Sequence, residues 1–243
     1  MNLYLMPATA AKFRSCVVLL GFFTASLSAA GGAAAPMVVS SSEITVQVKI
    51  LGMKSGQELT NNSGVVVWLI PIEEPRRHAF GAPESRYRMI QHNKSFEPHL
   101  LVVPSGSKVE FSNLDPWLHD AFSISGSRQF DLGFFRHGIR HVEFDRAGVS
   151  YVFCRIHPGM EGVVLTVESR YFGVSDRSGH VSISNVPAGS YRLHVWYEGA
   201  SLKALGALQS PVLVVSERCV LPPISLQIAK QNSPVLSLAP SHP

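Results

Sequence analysis

The sequence predicts an all-β fold built as two β-sandwiches, and three observations carry that prediction. Short runs of β-branched and aromatic residues recur along the chain, turn-forming clusters such as NNSG, PSGS, DRAG and DRSG separate them, and no stretch shows a convincing helical period. With 243 residues, 46% of them hydrophobic, the chain can fill one large core or two small ones without staples.

The first forty residues stand apart. Lys12 and Arg14 precede CVVLLGFFTASLSAAGGAAA, and no acidic residue occurs before Glu43. A short basic start, an apolar stretch and then small residues read as a secretory signal over 1–30, cleaved after Ala30, which implies a periplasmic or secreted protein. The alternative is an uncleaved anchor, since an apolar stretch of this length could just span a bilayer. Cleavage removes two of the 21 Lys and Arg and none of the 17 Asp and Glu, so the mature chain is close to neutral. No basic run interleaved with aromatics points to nucleic acid.

Ile44, Val46, Val48 and Ile50 alternate with Thr45, Gln47 and Lys49, the period of a half-buried strand. After NNSG, the run VVVWLIPI suits a buried strand, and together these make a first block, 42–72. EEPRRHAFGAPESR (73–86), charged, aperiodic and rich in Pro and Gly, reads as a linker loop. From Tyr87 strand signals resume with YRMIQ, HLLVV, KVEF, HVEF, VSYVFC and GVVLTV, forming a second block, 87–168. A third block, 171–228, contains YFGVSDRSGHVSISNVPAGSYRLHVWYEG, SPVLVVSE and LPPISLQI, and 229–243 reads as a loose tail.

Cys154, His157 and Met160 fall within seven positions between two apolar runs. Thiolate, imidazole and thioether form a soft donor set that copper accepts in either oxidation state. Zinc gains little from a thioether, and there is no Cys-x-x-Cys-His for covalent haem. A trigonal His₂Cys site with a distant Met needs one more imidazole, and His119, just after the NLDP turn, supplies it. Cys154 and Cys219 could instead form one bridge, but a cysteine so spaced from His and Met is better used as a ligand. Cys219 itself reads as a small buried residue of a sandwich. The pairs His92/His99 and His137/His141 read as exposed polar residues rather than a second metal site. Trp117, close to His119, reads as a rim aromatic that shapes the pocket or a partner surface.

The pattern FEPHLLVVPSGSKVEFSNLDPWLHDAFS followed by FDRAGVSYVFCRIHPGMEGVVLTV resembles the cupredoxins, the small blue-copper proteins that include plastocyanin and amicyanin. Over about 87–168, that resemblance implies a Greek-key sandwich with one type 1 copper held by His119, Cys154, His157 and Met160. It also implies single-electron shuttling, with the edge of His157 as the exit point and a c-type cytochrome or a dehydrogenase as redox partner. Cupredoxins commonly carry Asn after the upstream histidine, whereas this chain has Asp120, whose charge would favour Cu(II) and lower the potential. The run SDRSGHVSISNVPAGSYRLHVWYEG resembles transthyretin-like and carboxypeptidase-regulatory-like sandwiches. That resemblance implies that 42–72 and 171–228 form one such module with the copper domain inserted; a sequential arrangement, with the early strands joining the copper domain's sheet, is the alternative.

The function so implied is an exported electron carrier; the alternative is a periplasmic copper-handling protein that carries the metal as cargo. A multicopper oxidase or copper nitrite reductase needs further catalytic copper, and the chain has no His-x-His pair, nucleophile elbow or phosphate-cradling loop, so no enzymatic activity is expected.

Overall fold

The computed structural model describes residues 41–52, 56–73, 87–124, 126–208, 213–215 and 219–228. The expected signal, linker loop and tail lie outside these residues, apart from Glu73 at the start of the linker. In chain order the elements are β1 (Ser41–Leu51), β2 (Val66–Pro71), β3 (Tyr87–His92), β4 (Ser95–Glu97), β5 (Leu100–Pro104), β6 (Ser107–Asn113), β7 (His119–Ser123), β8 (Phe130–Phe135) and β9 (Ile139–Phe144). They continue as β10 (Gly148–Phe153), β11 (Glu161–Val167), β12 (Phe172–Val174), β13 (His180–Pro187), β14 (Gly189–Trp196), α1 (Leu202–Ala207), β15 (Leu213–Val215), β16 (Cys219–Val220) and β17 (Ile224–Gln227). The fold is all-β, with one short helix. Among the described residues, no helix is long and apolar enough to cross a membrane.

Two sheets come from the ends of the chain. One has the order β13-β1-β16 with β17 also on β1; the other runs β12-β2-β14-β15. Alternation decides what each face buries. Ile44, Val46, Val48 and Ile50 of β1 meet Val65, Val67 and Leu69, and Leu193 and Val195 of β14, in one aliphatic core. Fully burying each such side chain contributes about 1.5–3 kcal/mol. The DRSG turn into β13 needs its glycine: Gly179 has φ +84°, and a Cβ there would lie 2.0 Å from the carbonyl oxygen of Val48.

The middle of the chain builds two more sheets, β5-β11-β10-β7-β8 and β4-β3-β6-β9. Between them lie Met89, Phe96, Val103, Val109, Phe111, Phe135, Phe144, Val152 and Val164, together with Cys154 and Met160. The sheet of β5 and β11 is apolar on both faces. Leu101, Val103 and Val164 turn inward, while Leu100, Val102, Leu165 and Val167 turn outward onto Val66, Trp68, Phe172 and Trp196. The four sheets therefore stack in four layers, with a smaller apolar cluster between the second and third. His99 adds a polar link across this junction, its Nε2 2.9 Å from the Glu198 carboxylate.

Three elements depart from the sequence reading. Strand β7 is buried at all five positions and so shows no alternation. Strand β8, FDLGFF, shows no strict alternation either. The helix α1 is a single capped turn, with Ser201 Oγ accepting from the Ala204 N–H; six residues are too few to display a helical period.

Candidate metal centre

The centre lies where β6 and β10 end and β7 begins, on the same side of the sandwich. Asn113, at the end of β6, shapes the loop before β7: its amide donates to the carbonyls of Trp117 and Phe135 at 2.8 and 3.0 Å, and its Oδ1 accepts from the Asp115 N–H. Asp115 is thereby turned inward. Its carboxylate accepts from the N–H groups of Asn93 and Lys94 and from His119 Nε2, the last at 2.8 Å. Burial raises this carboxyl's pKa, but the donors from Lys94, His119 and Asn93 outweigh burial and hold it at about 2. With Nε2–H donating to Asp115, the lone pair on His119 Nδ1 faces the site.

Cys154 directly follows β10 and begins the loop that returns as β11. Its N–H donates to the Met160 carbonyl at 3.2 Å, and the Met160 N–H donates to the His157 carbonyl at 3.0 Å, which folds the loop tightly. Gly159, at φ +81°, permits that turn. The sulfur lies 3.7 Å from Nδ1 of His119 and 3.7 Å from Nδ1 of His157. The ligand atoms of these three residues all fall within 4.8 Å of one another, the one such group among the described residues. Cys154 is free and buried. Burial pushes the Cys154 thiol up, against hydrogen bonds from the backbone of Asp120, Ile156 and His157 that pull it down. Burial also lowers the pKa of His157, with His119 and the Lys94 ammonium acting in the same direction. The Met160 side chain is buried in the same core cluster as Cys154.

Around this centre the surface is apolar. Leu114, Trp117, Leu118 and Ile156 are all exposed by 40% or more, and the Lys94 ammonium lies 5.7 Å from the Trp117 ring.

Asp120 is fully buried and ties β7 to the loop that follows Cys154: its carboxylate accepts from the Arg155 N–H at 2.7 Å. Four residues of this site were not singled out from the sequence. Asp115, Asn113, Gln91 and Arg155 each act through partners distant in the chain, and only the NLDP turn before His119 signalled any of them. Among the described residues, the other histidines do not join the site. His92 lies by Glu97, His99 by Glu198 and His141 by Glu110, and His137 is exposed. Cys219 is buried on β16 in the other sandwich.

Among solved structures, the chain is similar to the copper-containing nitrite reductase of Thermus scotoductus SA-01, at 29% identity and a TM-score of 0.33, over 35% of this chain and 23% of the reductase. It is also similar to a purple cupredoxin from Nitrosopumilus maritimus, at 22% identity and a TM-score of 0.31, over 33% of this chain and 99% of that one. Reduced amicyanin bearing a Trp-to-Tyr substitution matches at 18% identity and a TM-score of 0.32, over 36% of this chain and 88% of its own. The chain thus spans less than a quarter of the reductase's length. No family model and no curated protein matches.

Proposed function

We propose that this protein is an exported one-electron carrier, periplasmic or secreted, in which His119, Cys154, His157 and Met160 hold a single type 1 copper. The observation that carries the reading is the convergence of the Cys154 sulfur and two imidazole nitrogens within 4.8 Å, with His119 and Cys154 buried and His157 half-buried. The donor chemistry favours copper over zinc. The adjacent carboxylates are committed, Asp115 to His119 and Asp120 to Arg155, so the remaining donor is the buried thioether of Met160. A copper held there would supply one-electron chemistry between Cu(I) and Cu(II).

The chain's own residues hold the geometry. Asp115 fixes the tautomer and tilt of His119, and the short hydrogen bonds of the 154–160 loop fix Cys154 against Met160. Rigid ligands keep reorganisation small, which suits rapid transfer. His157 stands at the edge of the apolar patch of Leu114, Trp117, Leu118 and Ile156, and we assign that patch to docking a redox partner such as a c-type cytochrome or a dehydrogenase. Residues 42–72 and 171–228 serve as a transthyretin-like docking or spacing module interrupted by the copper domain at 87–168. The ladders of β1 and β2 with β12, β13, β14, β16 and β17 support that division.

The test is the visible and EPR spectra of the protein with one equivalent of Cu(II), beside Cys154→Ser. An intense thiolate-to-copper band with small hyperfine splitting, both lost in the variant, is the expected result. A pale Cu(II) spectrum that the substitution leaves unchanged overturns it, and a copper that exchanges readily without colour favours metal cargo instead.

A further inference from the structure

Asp120 is the hub of a network that reaches both ligand loops. Its carbonyl accepts from the fully buried Gln91 amide at 2.7 Å, and its backbone hydrogen-bonds the Cys154 sulfur. Its side chain takes two hydrogen bonds from one residue: Oδ1 from the Arg155 N–H at 2.7 Å, and Oδ2 from the Arg155 guanidinium at 2.5 Å. The same guanidinium continues to Asp131, with contacts of 2.7 and 3.3 Å, and its Cζ lies 4.1 Å from the Phe122 ring centroid. Arg155 directly follows Cys154 in the chain, so whatever fixes its backbone also fixes the sulfur.

We infer that Arg155 is a positioning and charge-balancing residue of this centre: it locks the Cys154 loop onto β7 through Asp120 and cancels that carboxylate's charge beside the ligands. The electrochemical half of this inference rests on the copper reading; the positioning half does not. A fully buried carboxylate without a partner is costly, and here the partner is a planar fork that satisfies two carboxylates while stacking on a ring. Lysine has one point charge and no plane, so it reproduces the charge and not the clamp. The expectation that Asp120 alone would lower the potential therefore changes. The Asp120 charge is compensated in place, and removing Arg155 exposes it to the ligands.

Two readouts test this on the full chain, with Arg155→Gln, Arg155→Lys, Asp120→Asn and the double variant Asp120→Asn/Arg155→Gln. In the metal-free protein, the modification rate of Cys154 by an aromatic disulfide reagent, with Cys154→Ser as blank, reports loop closure. Arg155→Gln should react about tenfold faster than the unmodified protein, because local opening controls access to a buried thiol. Arg155→Lys should also react faster, and the double variant, with a neutral amide at each position, should fall back toward the starting rate. In the copper-loaded protein, Arg155→Gln should favour Cu(II) by about tenfold, a potential about 59 mV lower for a one-electron couple. Asp120→Asn should move the potential up, and Arg155→Lys should move it least. Unchanged thiol rates in both Arg155 variants overturn the positioning role, and a potential that rises in Arg155→Gln overturns the charge role. A protein that takes up no copper defeats the functional reading while the thiol rates still decide the clamp.

Discussion

The two sandwiches share a construction and differ in what they bury. The one from the chain ends packs Ile44, Val46, Val48, Ile50, Leu69, Val181, Ile183 and Leu226 around an aliphatic core, and its buried polar groups are Ser42, Asn62, Ser169 and Ser175. None of those is ionisable. The one from the middle of the chain buries Asp115, His119 and Asp120 at one end, in addition to Gln91, Asn113 and Cys154. Burying a charged group costs several kcal/mol unless it is paired and hydrogen-bonded, and each of these carboxylates has such partners. The contrast teaches where chemistry can be located: among the described residues one interior buries no carboxylate or imidazole, and the other gathers them at one end and satisfies each one.

The comparison breaks most readily in the aliphatic core. Ile50→Ala should lower unfolding free energy by about 2–5 kcal/mol in denaturant titration, with the copper spectrum of the folded protein unchanged. A spectrum that collapses with it would show that the two interiors are not separable. A smaller effect, confined to the other interior, should follow Asp115→Ala. Freed from its carboxylate, His119 loses its orientation, and copper affinity should fall about 10–100-fold in competition with a chelator; an unchanged affinity would leave Asp115 with a folding role alone. The smallest effect belongs to the junction. The Glu198 hydrogen bond raises the His99 pKa against the opposing pull of burial. Its stabilisation is therefore full below the unfolded imidazole value of about 6.5 and fades as pH rises through the raised folded value. His99→Gln should lower the melting temperature slightly at pH 5.5 and not at pH 9; an equal loss at both values would exclude the ion pair as its cause.

Much of this was legible in the sequence because it depends on near neighbours. Alternation exposed β1, β6 and β9, and β-branched runs exposed β2, β5 and β11. The spacing of Cys154, His157 and Met160 pointed to a candidate site because all three lie on one loop. Strand β7 escaped notice because burial on both faces erases the period on which a strand is recognised. Asp115 and Arg155 escaped for a different reason. A carboxylate in a turn and an arginine beside a cysteine are ordinary until the fold brings Asn93 and Lys94 to the one, and Asp120 and Asp131 to the other, across distances that no local pattern encodes. Even the substitution of Asp for the usual Asn at position 120 was visible, whereas the guanidinium that neutralises it was not.

Strand β2 and strand β12 lie side by side as antiparallel partners, Trp68 opposite Phe172 and the Leu69 N–H bonded to the Tyr171 carbonyl. Seen from the sheet they belong to, they are the two arms of a hairpin, and everything between them is its turn. The entropy of closing such a connection grows only logarithmically with its length. Once the connection folds on its own, the sheet is indifferent to what it carries. The host sandwich can therefore drift in sequence as a frame while its oversized turn changes separately, each constrained by the other where Trp68, Phe172 and Trp196 meet Val102, Leu165 and Val167 and where His99 meets Glu198.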